Sequence, residues 1–368
     1  MERVRYLYAP LKPPFMKFFR LALPAALSMG MALASCSNEL NVNDPWSDIT
    51  VVYALLDASQ DTNWVRINRA YLGTQGVDAG AQEPDSIYYG VLEVWLDEYN
   101  GNSLVRSFQL DYDDSSRDLN DGFFTTEGYH LYRTTEDVQV GRNYKLRIVK
   151  GDNVPVVTAE AIVLGNDVDW ISPRNNALPL TLVPNTDYSV TFETQELAKV
   201  FEVSITARYK EYTVGDEANV RFLESVYTLP VKSVTNLNGG VTLIFGYTTE
   251  TLLGALMQNI PVDPNARRFL LGMDFKALAG DEDLYTYLSV NQPPTGIVTE
   301  RPDFSNIEGG YGLFGSRSLA VVPNKQFNEA GMIEFVVNDM SCDRNFGRIF
   351  TTPGGQDTCF CTGNRQCN

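Results

Sequence analysis

The sequence predicts an all-β (mainly β) protein with only one or two short helices. Aromatic residues make up 11% of the chain, with 19 Tyr and 19 Phe, a content more typical of strands than of helical bundles. Apolar and polar residues alternate with a period of two in many segments, which is the pattern of a strand that buries one face. We therefore expect sheets whose strands present one face to a core and the other to solvent.

The first group of strands begins with ITVVYALLD (49–57) and NWVRINRAYLG (63–73), which the pattern predicts to be an antiparallel pair. YGVLEVWLDEY and NYKLRIVKG alternate in the same way, and a further run covers 154–164. Together these segments predict an immunoglobulin-like β-sandwich. The residues that share the predicted buried faces of the two middle segments are Leu92, Val94, Leu96, Tyr144, Leu146 and Ile148.

The second group of strands contains the clearest alternation in the chain, from Phe201 to Tyr209. Similar patterns follow at 219–229, 241–247 and 268–277. Because these segments again bury one face, they predict a larger antiparallel β domain after the sandwich.

Two segments favour a helix. TTETLLGALMQNI begins with threonines that can cap a helix, repeats apolar residues at helical spacing and ends before Pro261. DEDLYTYLSV fits either a helix or a strand by its apolar spacing, but the acidic residues Asp281 to Asp283 favour a helix start.

The length of 368 residues exceeds the size at which one hydrophobic core usually keeps growing, so we expect two folded domains. The loop-like stretch NDVDWISPRNNALPL separates the two groups of strands. The predicted organisation is a signal peptide (1–35), a polar tether (36–47), the sandwich (48–168), the second β domain with helical insertions (178–340) and a cysteine-rich tail (341–368).

The N-terminus has the features of an export signal. Lys17 and Arg20 precede an apolar run of about 14 residues, shorter than the roughly 20 that a membrane-spanning helix needs. The run ends in Leu33-Ala34-Ser35-Cys36, which resembles the lipobox of bacterial lipoproteins. In that class the cysteine becomes the acylated first residue of the mature protein. The alternative is an ordinary exported protein in which Cys36 is coincidental.

The remaining cysteines are Cys342, Cys359, Cys361 and Cys367. In an oxidising compartment an even number clustered in this way predicts two disulfides. Two pairings fit the spacing: 342 with 359 and 361 with 367, or 342 with 361 and 359 with 367. A zinc site of four thiolates is the alternative. In either case we expect the segment TTPGGQDTCFCTGNRQCN (351–368) to be a surface element held by its cysteines.

The formal net charge of −17 restricts the partners. Because so acidic a surface repels phosphate backbones, we expect no nucleic acid partner. Anionic lipid headgroups are repelled in the same way, so the predicted membrane contact is the N-terminal lipid alone.

The segment RPDFSNIEGGYGLFGSRS carries a family resemblance. Its Asn306, Gly309, Gly310, Gly312, Phe314 and Gly315 form an NI-x-GG-x-G-x-FG pattern. This pattern resembles a family of Bacteroidota outer-membrane lipoproteins known only as a domain of unknown function, and the resemblance covers roughly 48–320. It implies a lipid-anchored β-sandwich protein of the outer membrane, often encoded near TonB-dependent receptors, with no catalytic residues. The tail after the motif departs from the usual pattern.

The glycines of this motif predict a tight turn. Gly309 and Gly310 tolerate positive φ, while Gly312 and Gly315 leave room for close backbone approach beside Phe314. The same glycines match G-x-G-x-x-G, but a dinucleotide site needs a strand before them and a helix after them, which the sequence does not indicate.

Catalytic patterns are weak. His130 is the one histidine, and its alternation with aromatic residues predicts a packed or surface strand residue. DYDDSSRDLNDG places Asp111, Asp113 and Ser115 as in a calcium loop, but Ser116 and Gly122 stand where glycine and glutamate are required. We interpret this window as an acidic solvated loop, with a noncanonical calcium site as the alternative. We expect no metal and no cofactor.

Three functions follow from these patterns. The first is a lipid-anchored accessory protein, without catalysis of its own, that docks on an outer-membrane β-barrel such as a TonB-dependent receptor or export machinery. The second is a lipoprotein that captures glycan or peptide through exposed aromatics such as Trp95 or Trp170. The third is a hydrolase that uses paired carboxylates. The sequence leaves open which face of the outer membrane carries the protein.

Overall fold

A computed structural model describes residues 48–70, 80–115, 122, 124–165, 168–291, 303–352 and 355–361. The predicted signal peptide, the tether, Cys36 and Cys367 lie outside these residues. Residues Asp48–Asn368 form one compact unit.

The first β-sandwich packs two sheets face to face. One sheet has the order β16-β1-β2-β6-β5 and the other the order β4-β3-β7-β8. Tyr132, Tyr144 and Phe314 are completely buried between them, and burial of such side chains contributes roughly 1.5–3 kcal/mol each. The elements are β1 (Thr50–Leu56), β2 (Asn63–Arg69), α1 (Pro84–Ile87), β3 (Glu93–Asn100), β4 (Ser103–Gln109), β5 (Asp111–Asp113), β6 (Leu131–Thr134), β7 (Asn143–Val149) and β8 (Val157–Ile162).

The second part of the chain packs a three-stranded sheet, β14-β10-β9, against the strands β12-β11-β15-β16. Phe192, Phe245 and Phe275 are buried between these layers. The elements are β9 (Asp169–Ser172), β10 (Asp187–Glu193), β11 (Val200–Thr213), β12 (Asp216–Thr228), β13 (Lys232–Ser233), β14 (Thr242–Thr248), α2 (Thr249–Gln258), β15 (Ala266–Gly280), α3 (Glu282–Asn291), β16 (Gly310–Lys325), α4 (Glu329–Val337), α5 (Asp339–Cys342), β17 (Phe346–Thr352) and β18 (Gly355–Phe360).

The mainly β class, the sandwich architecture and a disulfide near the C-terminus are thus confirmed. Both predicted helices are present as α2 and α3. A capping box fixes the start of α2, in which the Thr248 and Thr251 side chains each accept from the other's backbone N–H.

Strand β16 links the two cores. Its residues Gly310 to Ser316 pair in parallel with β1, and its residues Arg317 to Lys325 pair antiparallel with β15. One strand therefore continues a single sheet from the first sandwich into the second part of the chain. The sequence patterns did not predict this pairing, because the partners β1 and β16 lie far apart in the chain.

The helical content near the C-terminus was underestimated. The sequence favoured helix in two segments, but α4 and α5 are also helical, and α1 is a short turn of helix. The Asn328 side chain caps α4 through the Gly331 N–H, and the Asn338 side chain caps α5 through the Met340 N–H. Adjacent valines in α4 are weak helix formers, so its helical preference is carried by this cap and by the burial of Phe335.

The prediction that 351–368 is a surface element was wrong at Cys359, and β17 before it also contributes to the core. Phe346 in β17 is only 1% exposed and packs edge-on against both Tyr209 and Phe335. Cys359 is also buried. The segment therefore completes the second core, and β17 extends the sheet by pairing with β15.

Candidate functional site

A cleft lined by aromatic rings lies where β1, β2, β16 and α3 meet, and we call it the aromatic cleft. Alternation along β1 buries Val52 and Ala54 in the first core, which turns Tyr53 to the opposite face with 41% of its surface exposed. Trp64 of β2 and Tyr287 of α3 line the same cleft, whose volume is about 620 Å³. The fold thus brings three aromatic residues from distant parts of the sequence to one open surface.

The two tyrosines of the aromatic cleft contact each other. The rings of Tyr53 and Tyr287 meet edge to face with centroids 5.9 Å apart, and their hydroxyl oxygens are 3.4 Å apart. This hydrogen bond, together with burial, raises the pKa of Tyr53 to about 12. The Tyr53 hydroxyl is therefore protonated at physiological pH and offers an uncharged donor to a ligand.

One end of the aromatic cleft is polar. Asp57 is buried, and one of its carboxylate oxygens accepts hydrogen bonds from the Ser59 N–H at 3.0 Å and the Ser59 hydroxyl at 2.6 Å. The other carboxylate oxygen lies 3.5 Å from Nε of Arg317, which also lines the cleft. The Asn63 side chain accepts from the Asp57 N–H at 2.8 Å and holds this turn in place. A ligand in the aromatic cleft would contact aromatic rings along the cleft and the ion pair of Asp57 and Arg317 at one end.

Helix α3 closes one side of the aromatic cleft without burying a residue of its own. None of its ten described residues is buried. Its start is held by Asp281, whose carboxylate accepts from the Leu284 N–H at 2.9 Å and the Ser316 N–H at 2.5 Å. Burial raises the pKa of Asp281 to about 6, although these hydrogen bonds act in the opposite direction. A single carboxylate thus connects α3 to β16.

Asn306 of the sequence motif supports the wall of this cleft. Its side chain accepts from the Phe314 N–H at 3.0 Å and donates to the Phe314 carbonyl at 2.6 Å, so it satisfies both backbone groups of a strand residue. It also donates to Asp283 of α3 at 2.9 Å. The motif asparagine therefore fixes the strand and the helix relative to each other.

The motif glycines allow β16 to approach β1. Gly309 has a positive φ of 78°, as expected. Gly310 does not have a positive φ, contrary to the prediction, whereas Gly312 has a φ of 120°. A Cβ on Gly312 would lie 1.9 Å from the Val52 carbonyl oxygen. Only glycine fits this position. The geometry therefore shows a structural role for the motif.

The cysteines show one of the two expected bridges. Cys342 and Cys361 form a disulfide, with Cα atoms 5.3 Å apart, which excludes the pairing of Cys342 with Cys359. Because this disulfide uses two of the four sulfurs, the alternative of a four-thiolate zinc site is also wrong. Cys367 lies outside the described residues, so its predicted bridge to Cys359 stays a prediction.

The other sequence candidates do not join the aromatic cleft. His130 is buried among Tyr88, Tyr112 and Tyr132, and its Nδ1 lies 2.9 Å from the Gly128 carbonyl. Asp113 of the acidic window is paired with Arg133 at 3.1 Å, while Ser116 lies outside the described residues. Trp170 packs against Phe192 of the second core, and Trp95 is half-buried with Arg147 over its ring.

The sequence contains one signal that points to the aromatic cleft. The alternation of VVYALLD, by which β1 was predicted, already places Tyr53 on the face opposite to the core. The pairing with Tyr287 could not be read from the pattern, since it depends on α3 folding back over the sheet.

Among the described residues, no group of three or more His, Cys, Asp or Glu side chains could hold a metal ion. The helices in that same part of the chain are too short or too polar to cross a membrane. In comparisons with known proteins, no family model matches this chain and no curated protein does.

Proposed function

We propose that this protein is a lipid-anchored accessory protein of the bacterial outer membrane that works by binding and not by catalysis. In this proposal Cys36 carries the lipid, and the chain belongs to the Bacteroidota lipoproteins that its glycine motif resembles. The aromatic cleft contacts the periplasmic or extracellular segments of an outer-membrane β-barrel, such as a TonB-dependent receptor or a component of the export machinery.

The observation that carries the proposal is the aromatic cleft. Partly exposed tyrosine and tryptophan side chains on a rigid sheet are the residues that dominate protein–protein binding energy, because they bury a large area with little loss of side-chain freedom. The charged pair of Asp57 and Arg317 supplies the polar contacts that set the orientation of a partner.

Purification of the tagged full-length protein from detergent-solubilised membranes tests this function. We expect a stoichiometric β-barrel protein to copurify, and we expect the double variant Tyr53→Ala/Tyr287→Ala to reduce its yield at least tenfold. Phe222→Ala is the matched control, because Phe222 is an aromatic residue 74% exposed in β12, outside the cleft. A clean monomer, or equal loss of the partner in both variants, would contradict the proposal.

The anchor has its own test. Mass spectrometry of the mature protein should find Cys36 as the first residue, carrying acyl chains, and Cys36→Ser should release the protein from the membrane fraction. Three chains, as expected of such lipoproteins, hold a protein stably where one gives only marginal binding. An unmodified thiol at Cys36 would contradict the anchoring.

A second candidate function is capture of a glycan or peptide at the cell surface, and the aromatic cleft favours Trp64 for this role over Trp95 and Trp170. Trp64 lies in the cleft, whereas Trp170 packs on the core. Titration of Trp fluorescence with oligosaccharides and peptides, compared between the wild type and Trp64→Phe, separates this function from docking. A saturable change that Trp64→Phe abolishes would support direct capture, and its absence would favour docking.

A further inference from the structure

A second cavity, of about 290 Å³, lies in the other half of the molecule, and we call it the basic cavity. Strands β9, β10 and β14 form one side, while β15 and the end of β16 form the other. Its walls are largely apolar, with Leu252, Met273 and Phe275 at the core side. Taking the volume of a water molecule as about 30 Å³, the basic cavity has room for roughly ten non-hydrogen atoms.

The charges that line the basic cavity are of one sign. Arg174 and Lys325 are the basic residues of its lining, and no Asp or Glu is found among the described residues that line it. This is the reverse of the whole chain, which has 46 acidic and 29 basic residues. Because both charged side chains of this lining are basic, the basic cavity favours an anion by charge complementarity.

Of these two basic residues, Lys325 is the more buried, with only 5% of its surface exposed. Its ammonium donates to the backbone carbonyls of Leu178 at 2.5 Å, Asn176 at 2.9 Å and Arg174 at 3.2 Å, and its longest contact is the Asn176 side-chain oxygen at 3.3 Å. Within the part of the chain that the structure describes, no carboxylate forms an ion pair with it. Burial lowers the pKa of this ammonium, as expected for a charge that dipoles solvate but no opposite charge balances.

The side of the basic cavity that β10 and β14 form carries two tyrosine rings, against which the apolar part of a ligand can pack. The rings of Tyr188 and Tyr247 stack with centroids 5.9 Å apart and an angle of 24° between their planes. The Tyr188 hydroxyl accepts from the Val183 N–H at 3.0 Å, which orients its ring. Burial raises the pKa of Tyr247, so its phenol stays neutral and does not repel an anion.

We propose that the basic cavity binds a small organic monocarboxylate of about ten non-hydrogen atoms, which consists of a carboxylate and an apolar body. Its carboxylate takes the place of the Asn176 side-chain oxygen, which is the longest of the contacts to the Lys325 ammonium, and its apolar body packs against Tyr188, Tyr247 and Met273. This ligand site is distinct from the aromatic cleft, and it does not depend on the lipid anchor or on a β-barrel partner.

Isothermal titration calorimetry on the full chain purified from membranes tests the charge requirement. Three probes of the same shape are compared at pH 7: phenylacetate, the neutral 2-phenylethanol and the cationic phenethylamine. We expect phenylacetate to bind at least tenfold more tightly than either of the others. Equal binding of phenylacetate and 2-phenylethanol, or no binding of phenylacetate at millimolar concentration, would overturn the proposal.

Lys325→Met removes the charge while keeping a side chain of similar length, and we expect it to weaken phenylacetate binding at least tenfold without changing the binding of 2-phenylethanol. Because this variant also removes the anchor of the loop around Asn176, circular dichroism must show that it is folded. Unchanged phenylacetate affinity in a folded variant would overturn the proposal.

A measurement on the wild type replaces the variant if Lys325→Met does not fold. Phenylacetate stays ionised above pH 6, so its affinity should fall by tenfold or more only as the Lys325 ammonium loses its proton at high pH. The pH of the fall should lie below that of an exposed lysine, since burial lowers the pKa of Lys325. Affinity that does not change up to pH 10.5 would overturn the role of the ammonium.

Discussion

The two halves of β16 differ in what holds them. The first half, Gly310 to Ser316, contains three glycines and pairs in parallel with β1, where a Cβ on Gly310 or Gly312 would lie 2.6 Å or 1.9 Å from a carbonyl oxygen of β1. The second half, Arg317 to Lys325, lies antiparallel to β15 and contains no glycine. Phe314 of the first half packs in one core, and Val322 of the second half packs in the other.

The difference shows that one strand can be positioned by two kinds of interaction. In the first half the backbone and the side chains that hydrogen-bond to it, Asn306 and Asp281, determine the position. In the second half the packing of apolar side chains does so. At the junction, the buried Ser316 hydroxyl donates to the Leu56 carbonyl at 3.0 Å and accepts from the Leu164 N–H at 2.9 Å.

Gly312→Ala should have the largest effect on stability. Its Cβ would meet the Val52 carbonyl oxygen at 1.9 Å with φ at 120°, so β1 and β16 would have to separate. We expect a loss of more than about 4 kcal/mol in the free energy of unfolding, measured by urea denaturation. Gly315→Ala is the comparison variant and should cost less, because Gly315 does not have a positive φ and its Cβ would meet the Asp281 carboxylate at 2.9 Å and not a backbone atom of β1. Equal losses would show that backbone closeness is not the constraint.

Asn306→Ala should come next. It leaves the N–H and carbonyl of Phe314 without their partner and removes the hydrogen bond to Asp283. We expect a loss of about 2–4 kcal/mol in the free energy of unfolding, since unsatisfied groups cost roughly 1–3 kcal/mol each. The variant should also weaken partner binding at the aromatic cleft because α3 loses a contact. A loss below about 1 kcal/mol would show that water replaces the side chain.

Val322→Ala tests the second half of the strand. It removes two buried methyl groups beside Phe275 and should cost about 1–3 kcal/mol in unfolding free energy, through lost burial and the remaining cavity. Partner binding at the aromatic cleft should not change. If Val322→Ala impairs that binding as strongly as Asn306→Ala does, the two halves do not act independently.

The smallest effect should be a pH dependence at Asp281. Burial raises its pKa to about 6 from the usual 3.8, so the folded state binds this proton more tightly than the unfolded state. Its contribution to stability is therefore present below about pH 4 and is lost as the pH rises through 6. Against Asp281→Asn, the wild type should gain on the order of 1 kcal/mol between pH 7 and pH 5, measured by urea denaturation. Parallel curves for the two proteins would refute this coupling.

Local patterns predicted about half of the described strands and the helices α2 and α3, because alternation and capping are properties of short segments, but they missed strands such as β4, β10 and β16. The run from Phe201 to Tyr209 is strand β11, and the threonines before Leu252 cap α2, as expected. The same reasoning missed α4, in which an asparagine cap and burial override weak helix formers. It also predicted a surface element at 351–368, where Cys359 is in fact buried, since the core next to Cys359 is built by other parts of the chain.

The candidate sites were predicted less well than the fold. The glycine motif was found from sequence, but the reason for Gly312, its contact with Val52, depends on the pairing of β16 with β1. The aromatic cleft and the basic cavity each combine residues from segments more than 100 positions apart, such as Tyr53 with Tyr287 and Asn176 with Lys325. Periodicity carries no information on such pairs.

The sequence by itself determined the β class, the faces of the predicted strands and the helices α2 and α3, because each depends on residues that are neighbours in the chain. The tertiary structure alone decided that β16 joins the two cores, that Cys342 pairs with Cys361, and where aromatic and basic side chains gather. These features arise from contacts between distant segments, whose geometry is set only when the sheets pack against each other.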